Sequence, residues 1–339
     1  MSTELLLGIT VLVALIAYAL LGGADYGGGI WDLLASGPRR KAQRDLIEGA
    51  IGPIWEANHV WLILVIVVVF TGFPLAFAAI STTLFIPLTL LLFGIVLRGA
   101  AFTFRAHDEA RDEVQARWGL AFSLSSVITP LVLGAVVGAL ASGRLRLAAD
   151  ETPLSGSMAW LSPFTVATGI LTAGLFAFLA AVYLTVEARG ELVEDFRRRA
   201  LAAGGVVLVA ALVAFGLCWR ESPMVFAGLT GRWWSVPHLL ATGAASLGAL
   251  QGLLRHRFVA ARIFATAEAT LLITGWAAAQ LPYLVVPDMT LAEAAAPRPT
   301  QVALLVALGI GALTLVPSLW LLFRVFKGPG ARGSGVSSN

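Results

Sequence analysis

Seven residues, Trp55-Glu56-Ala57-Asn58-His59-Val60-Trp61, place a carboxyl, a carboxamide and an imidazole between two indoles at the head of an apolar run from Leu62 to Phe70. An ionisable group in a lipid-spanning helix costs roughly 2.5 to 3.5 kcal/mol on insertion scales, so it marks a functional site by default. On a helix Glu56 and His59 stand at i, i+3 and Trp55 and His59 at i, i+4, which puts acid and imidazole on one stripe. That spacing suits a proton-carrying pair and a structural pair satisfied internally equally well. Three residues after Pro53, Glu56 falls in a first helical turn, where the dipole returns about 0.3 to 1 kcal/mol. That is less than the insertion cost.

A second acid sits in Gly22-Gly23-Ala24-Asp25-Tyr26-Gly27-Gly28-Gly29. Gly-rich phosphate loops follow a strand and open a helix, whereas this one closes an apolar run, so nucleotide binding is set aside. The glycines read as a packing face that lets backbones approach, and Asp25 is left without an explanation. Asp32 shares its helix face seven residues on, where solvation near a helix end would account for it. Arg98, at the end of the third apolar run, would either snorkel to the interface or neutralise a buried acid such as Glu56. Glu268 has Thr266 and Thr270 nearby and reads as a hydrogen-bonded structural acid. His59 and His238 are the minimum set for a bis-histidine haem.

The elements that must position these groups are membrane helices. The chain is 58% hydrophobic and 13% charged, against about a quarter charged in soluble domains. Apolar blocks long enough to cross a core about 30 Å thick fall at 5–27, 54–73, 75–97, 118–141, 161–186, 200–218, 236–254, 262–283 and 301–325. Cytoplasmic loops hold the excess of Lys and Arg. With the N-terminus outside, 18 of the 23 basic residues lie inside and 5 outside. The expectation is an all-α protein of nine transmembrane helices with the N-terminus out and the C-terminus in. Its basic balance is cytoplasmic anchoring, with no need for nucleic acid. Helix 1 has no basic n-region and is expected to be retained. The single Cys218 excludes an internal disulfide and a thiolate metal cluster.

In order along the chain, the polar stretch 36–52 is expected to be partly helical, with Arg44 and Glu48 at i, i+4. Thr71-Gly72-Phe73-Pro74 closes an antiparallel hairpin between helices 2 and 3. The mixed-charge segments 107–117 and 187–199 read as solvated. Helices 5 to 8 read as a second copy of helices 1 to 4, with Asp25 and Glu187 as the matching acids. This divides the chain into a first four-helix bundle (1–142), a second (143–283), and a ninth helix with a cytoplasmic tail (284–339).

Several motifs resemble subunit II of the cytochrome bd quinol oxidases. They are Gly23-Ala-Asp-Tyr-Gly-Gly-Gly-Ile30, Pro53-Ile-Trp-Glu-Ala-Asn-His-Val-Trp-Leu62, Gly72-Phe-Pro-Leu-Ala-Phe-Ala78, Leu97-Arg98 with Phe104-Arg105, Trp160-Leu-Ser-Pro-Phe164, Gln280-Leu-Pro-Tyr-Leu-Val-Val-Pro287 and Thr290-Leu-Ala-Glu293. The resemblance extends over essentially the whole chain. It implies two four-helix bundles plus one helix, in the bacterial cytoplasmic membrane, and a complex that oxidises quinol and reduces dioxygen to water. Two haems b and one haem d, together with the quinol-binding loop, would belong to a partner, subunit I. No cofactor is expected in this chain, and small single-helix accessory subunits, lipid and quinone are further partners.

By the same resemblance Glu56 and Asp25 belong to a proton route from the cytoplasm, and Trp61 lines an oxygen path. Arg98, His59 and Asn58 are structural or charge-pairing. Two positions depart from the family. An acid is replaced by Thr103, and a lysine found in some members is His107, so a proton route would run through water, Thr103 and His107 or enter elsewhere. Two other readings compete. One is a proton- or cation-coupled transporter using Asp25, Glu56 and Glu268, and the other is a purely structural membrane partner.

Overall fold

The computed structural model describes residues 2–52, 55–107, 112–148, 154–156 and 158–327. Pro53, expected to start or kink the second span, lies outside the described residues. So do 108–111, the tail after Lys327 and the side chains of 105–116, among them His107.

The chain is a multi-pass helical membrane protein. Helix α1 covers Thr3–Leu33, α2 Arg40–Ile51, α3 Trp55–Gly72, α4 Pro74–Thr83, α5 Phe85–His107, α6 Asp112–Ala141, α7 Pro163–Glu187 and α8 Glu191–Glu221. There follow α9 Pro223–Gly231, α10 Ser235–Leu254, α11 Phe258–Gln280, strands β1 Tyr283–Val285 and β2 Met289–Thr290, α12 Leu291–Ala294 and α13 Arg298–Lys327. The fold is all-helical apart from these two short strands, which form a small antiparallel hairpin. Pro282 and Pro287 frame β1, and proline cannot continue a helix.

Eight of the described helices are long and apolar enough to cross a membrane: α1, α3, α5, α6, α7, α8, α11 and α13. The expected seventh span forms as α10, 20 residues long, but Ser235, His238, Thr242, Ser246 and Gln251 dilute its apolar character. The expected third span is broken in two. Pro87 has no N–H, and its ring crowds the carbonyl four residues back, which is Thr83, the last residue of α4. The hairpin therefore turns twice, at Phe73 and at Leu84.

Packing centres on α7, which lies against α1, α6, α8 and α11. Trp31 Nε1 donates to the Ala177 carbonyl at 2.7 Å and ties α1 to α7. In the first half α1 also packs on α3 and α6, and in the second α10 packs on α11. The Gly-rich end of α1 makes this possible. A Cβ on Gly27 would overlap the Phe176 carbonyl oxygen, so only glycine allows α1 and α7 to meet there.

Helix α2 buries Gln43, Ile47 and Ile51 along one stripe, the i, i+4, i+8 pattern of a helix lying on a core. Arg44, spaced to meet Glu48, makes its ion pair with Asp32 Oδ1 instead, at 3.6 Å. The segment expected to be solvated after α7 is mostly the start of α8, and its acids are engaged. Arg39 donates to both Asp195 oxygens at 2.8 and 2.7 Å and to Glu191 at 2.6 Å. Those bonds, the ones to Asp195 first, hold the Arg39 guanidinium above its ordinary pKa. Gln43 joins the same cluster by donating to Asp195 at 3.0 Å. Solvent screens partly exposed pairs of this kind, and they add little to stability, so their part is to fix the register of α2 against α8.

Candidate functional site

The polar groups singled out by sequence divide into an inward set and an outward set. Asp25 is 3% exposed and accepts a 2.6 Å hydrogen bond from Asn58 Nδ2. The short distance is that of a charge-assisted bond. It joins the Gly-rich motif of α1 to the tryptophan-flanked motif of α3 in the bundle interior. Arg98 is 1% exposed. It does not snorkel: its Nε donates to Ser126 Oγ at 3.1 Å. Its Cζ stands 4.5 Å from the centre of the Tyr26 ring and 5.0 Å from that of Phe122. Two aromatic faces thus supply cation–π attraction to a cation removed from water.

His59 also turns inward. Its Nδ1 is 2.9 Å from the Trp55 carbonyl oxygen, and its ring meets Tyr18 and Tyr26 edge-on or tilted, both at 6.2 Å. Those two tyrosines share a hydrogen bond of 3.2 Å. Glu56 faces the other way and is exposed, so the expected acid–imidazole pair is not formed. Glu56 heads an outward apolar stripe continued by Ile63, Ile66, Val67 and Phe70. The reason is angular. Asn58, two residues on, lies about 200° around the helix from Glu56, and Asn58 is the residue α1 captures.

Trp61 is half-buried beside the cluster of Tyr18, Ala19, Tyr26 and Phe176. Thr103 is exposed and donates to the Gly99 carbonyl at 3.1 Å. His107 ends α5. The structure therefore gathers Asp25, Asn58, Arg98 and His59 inside the first half of the chain, while Glu56 and Thr103 lie on its outside.

Sequence reasoning passed over several neighbours of this site. Asp32, expected to be solvated, is 1% exposed. It accepts from Ser123 Oγ at 2.9 Å, and its backbone carbonyl accepts from Arg44 at 3.2 Å. Ser126 and the Tyr18–Tyr26 pair were also passed over. The signal available was spacing: Tyr18 and Tyr26 share a face of α1, and Ser123 and Ser126 are one turn apart on α6. In the second half Glu268 accepts from Ser246 Oγ at 2.7 Å. The nearby threonine hydroxyls instead donate back to carbonyls one turn earlier on α11.

The two histidines do not fit a haem. His238 Nε2 is 2.8 Å from the Leu271 carbonyl, and even a Cβ on Gly275 would crowd that nitrogen at 2.6 Å. No group of three or more His, Cys, Asp or Glu that could hold a metal ion occurs among the described residues.

The family model for cytochrome bd terminal oxidase subunit II matches residues 3–326. Cytochrome bd ubiquinol oxidase subunit 2 of Bacillus subtilis is 27% identical over 216 residues, which cover 64% of this chain and 63% of that protein. Cytochrome bd-I ubiquinol oxidase subunit 2 of Escherichia coli K12 is 29% identical over 215 residues, 60% of this chain and 53% of that protein. The matched part therefore spans less than two thirds of either relative. A chain in the structure of bd oxidase from Geobacillus thermodenitrificans superposes with a TM-score of 0.80 at 22% identity, covering 96% of this chain and 99% of that one. That last likeness is one of fold.

Proposed function

The chain belongs to the cytochrome bd terminal oxidase subunit II family, and from this we propose that it is the non-haem subunit of a bd-type quinol oxidase in the bacterial cytoplasmic membrane. A haem-bearing subunit I, with two haems b and one haem d, is its partner and supplies quinol oxidation and dioxygen reduction. Reduction of dioxygen to water consumes one proton for every electron, and the work of this chain is to bring protons from the cytoplasm. In this reading α10 also crosses the membrane and brings the spans to nine, the N-terminus is outside, and two four-helix bundles (1–142 and 143–283) are followed by α13.

The observation that carries the reading is the meeting of Asp25, Asn58 and Arg98 in the interior of the first bundle. Ionisable groups at membrane depth are expensive and are kept where they serve ion or proton movement. A carboxylate held by a carboxamide can take and release a proton without leaving its place. Arg98 brings a guanidinium with a planar fork of N–H donors and steadies the site electrostatically. Glu56, exposed on the outward stripe, faces the partner in this reading and hands protons across. Trp61, packed beside Tyr18, Tyr26 and Phe176, takes the oxygen-path role that the family resemblance implies. The hydrogen bond from His238 Nε2 to the Leu271 carbonyl supports the view that haem belongs to the partner.

The experiment is purification through a tag on this chain, followed by an absorption spectrum and quinol-driven oxygen consumption. Co-purifying b- and d-type haem bands with oxygen uptake are expected. A colourless preparation that moves solute into vesicles would replace this reading with a transporter.

A further inference from the structure

The family's acid on α5 is Thr103 in this chain, and Thr103 turns its hydroxyl to its own helix. A different file of polar groups runs through the interior. Asp25, Gly29 and Asp32 stand at i, i+4 and i+7 on one face of α1, a rise of about 10 Å from acid to acid. Against that face α6 presents Ser123, Ser126 and Thr129, one turn apart and each essentially buried at 1%, 0% and 1% exposure. Ser123 bonds Asp32. Ser126 lies so close to Gly29 that any Cβ there would overlap its hydroxyl, and it accepts from Arg98. Thr129, one turn further along α6, packs against Gly94 of α5.

Four polar groups along this file have hydrogen-bonding capacity beyond what the protein uses. Asn58 Oδ1, Arg98 Nη2 and Thr129 Oγ1 are buried without a protein partner. The Ser126 carbonyl loses its helical donor, because the residue four ahead is Pro130. Buried polar atoms are paired, and where protein does not pair them ordered water does, each molecule with two to four polar partners. At the Asp32 end of the file Arg44, with its side chain 31% exposed, touches both the bulk and Asp32.

We propose that protons enter this chain at Asp32 and reach Asp25 through a hydrated file on the α1–α6 interface, with Ser123 and Ser126 as its rungs and Arg98 as the residue that positions the water. The inference rests on the oxidase reading and gives it a different entry. The Asp32 carboxylate takes a proton from water at the Arg44 edge. It passes one on to Ser123 Oγ as the serine releases its own to the next oxygen, and is left ionised. Through water along Ser126 and Arg98 the last transfer protonates the Asp25 carboxylate, with no net change in the rungs. Arg98 gives up no proton; its buried guanidinium orders the water beside Asn58 and Asp25.

The test uses the whole complex, with oxygen consumption expressed per haem. Asp32→Asn, which keeps the shape and removes the acid, is expected to slow turnover about tenfold, at the modest end of general acid–base effects. Haem content should stay unchanged, and the solvent deuterium isotope effect should increase. Asp32→Glu should recover most of the rate, which a merely structural role would not predict. Ser123→Val, which leaves the Arg44–Asp32 pair in place, should be slow as well. Full turnover in Asp32→Asn with a slow Thr103→Ala would overturn the inference and leave the oxidase reading standing. Loss of haem from Asp32→Asn together with full turnover in Ser123→Val would overturn it too, by making Asp32 a packing residue. A parent complex with neither haem nor oxygen uptake would remove the oxidase reading itself.

Discussion

Gly27→Val is expected to abolish accumulation of the folded protein. At this point α1 and α7 are in backbone contact, and a side chain at position 27 would meet the Phe176 carbonyl and the Ala180 methyl. Overpacking a core with side chains that can yield costs about 1 to 3 kcal/mol. Here the obstacle is main chain inside a helix, which has no rotamer to change. The cost should therefore exceed about 3 kcal/mol, enough to separate the helices that Trp31 and Ala177 also join. The measurement is the amount of detergent-extracted protein that elutes as a single species, beside Gly216→Ala as a control. Gly216 has nothing within 4 Å of an added Cβ, so that variant should accumulate normally. Equal yields from both would show that the α1–α7 approach is looser than described.

Asn58→Leu should be the costliest single change at the site itself. It removes the 2.6 Å bond to a carboxylate that is 3% exposed and sets an isobutyl group against it. Hydrogen bonds to charged groups contribute about 1.5 to 3 kcal/mol, and a loss of about 2 kcal/mol in thermal stability of the purified complex is expected. A double-mutant cycle isolates the bond, since residues in direct contact give non-additive effects. With Asp25→Asn in the background the penalty of Asn58→Leu should shrink, because the remaining amide needs less stabilisation than a carboxylate. Strictly additive losses would mean that Asn58 supports α3 and not Asp25.

Much of this site could be seen in the sequence because its members are costly. Asp25, Asn58, Glu56 and Arg98 stand out in apolar helices without any structure. What the sequence did not disclose was who faces whom. Glu56 and His59 share a stripe by spacing, yet α1 captures Asn58 and thereby turns Glu56 outward. That rotation depends on how closely the glycines let α1 approach its neighbours, which no local pattern states. Asp32 was misjudged for a similar reason. Helix α1 runs 31 residues, about 46 Å at 1.5 Å per residue, and its end is covered by Arg44 of α2 and Ser123 of α6 when the expectation was open solvent. The break at Leu84 was legible in principle, since Pro87 is in plain view. An unbroken hydrophobic run masked it. The helix at 235–254 was legible as an element, and its polar residues explain why it is less apolar than the other eight.

The two faces of α3 divide the account. Inside, Asp25 and Asn58 form a protected carboxylate site. Outside, Glu56 lies at the top of an apolar stripe that lipid or a partner must cover. The hand-over of protons to chemistry in a neighbour is tested most directly at Glu56, because it faces outward and its replacement by an isosteric amide disturbs no hydrogen bond described within the chain. The measurement is oxygen consumption per haem in the purified Glu56→Gln complex. A rate about tenfold below the parent, with the haem spectrum and assembly intact, is the predicted result. Parent-level turnover in that variant would contradict the account.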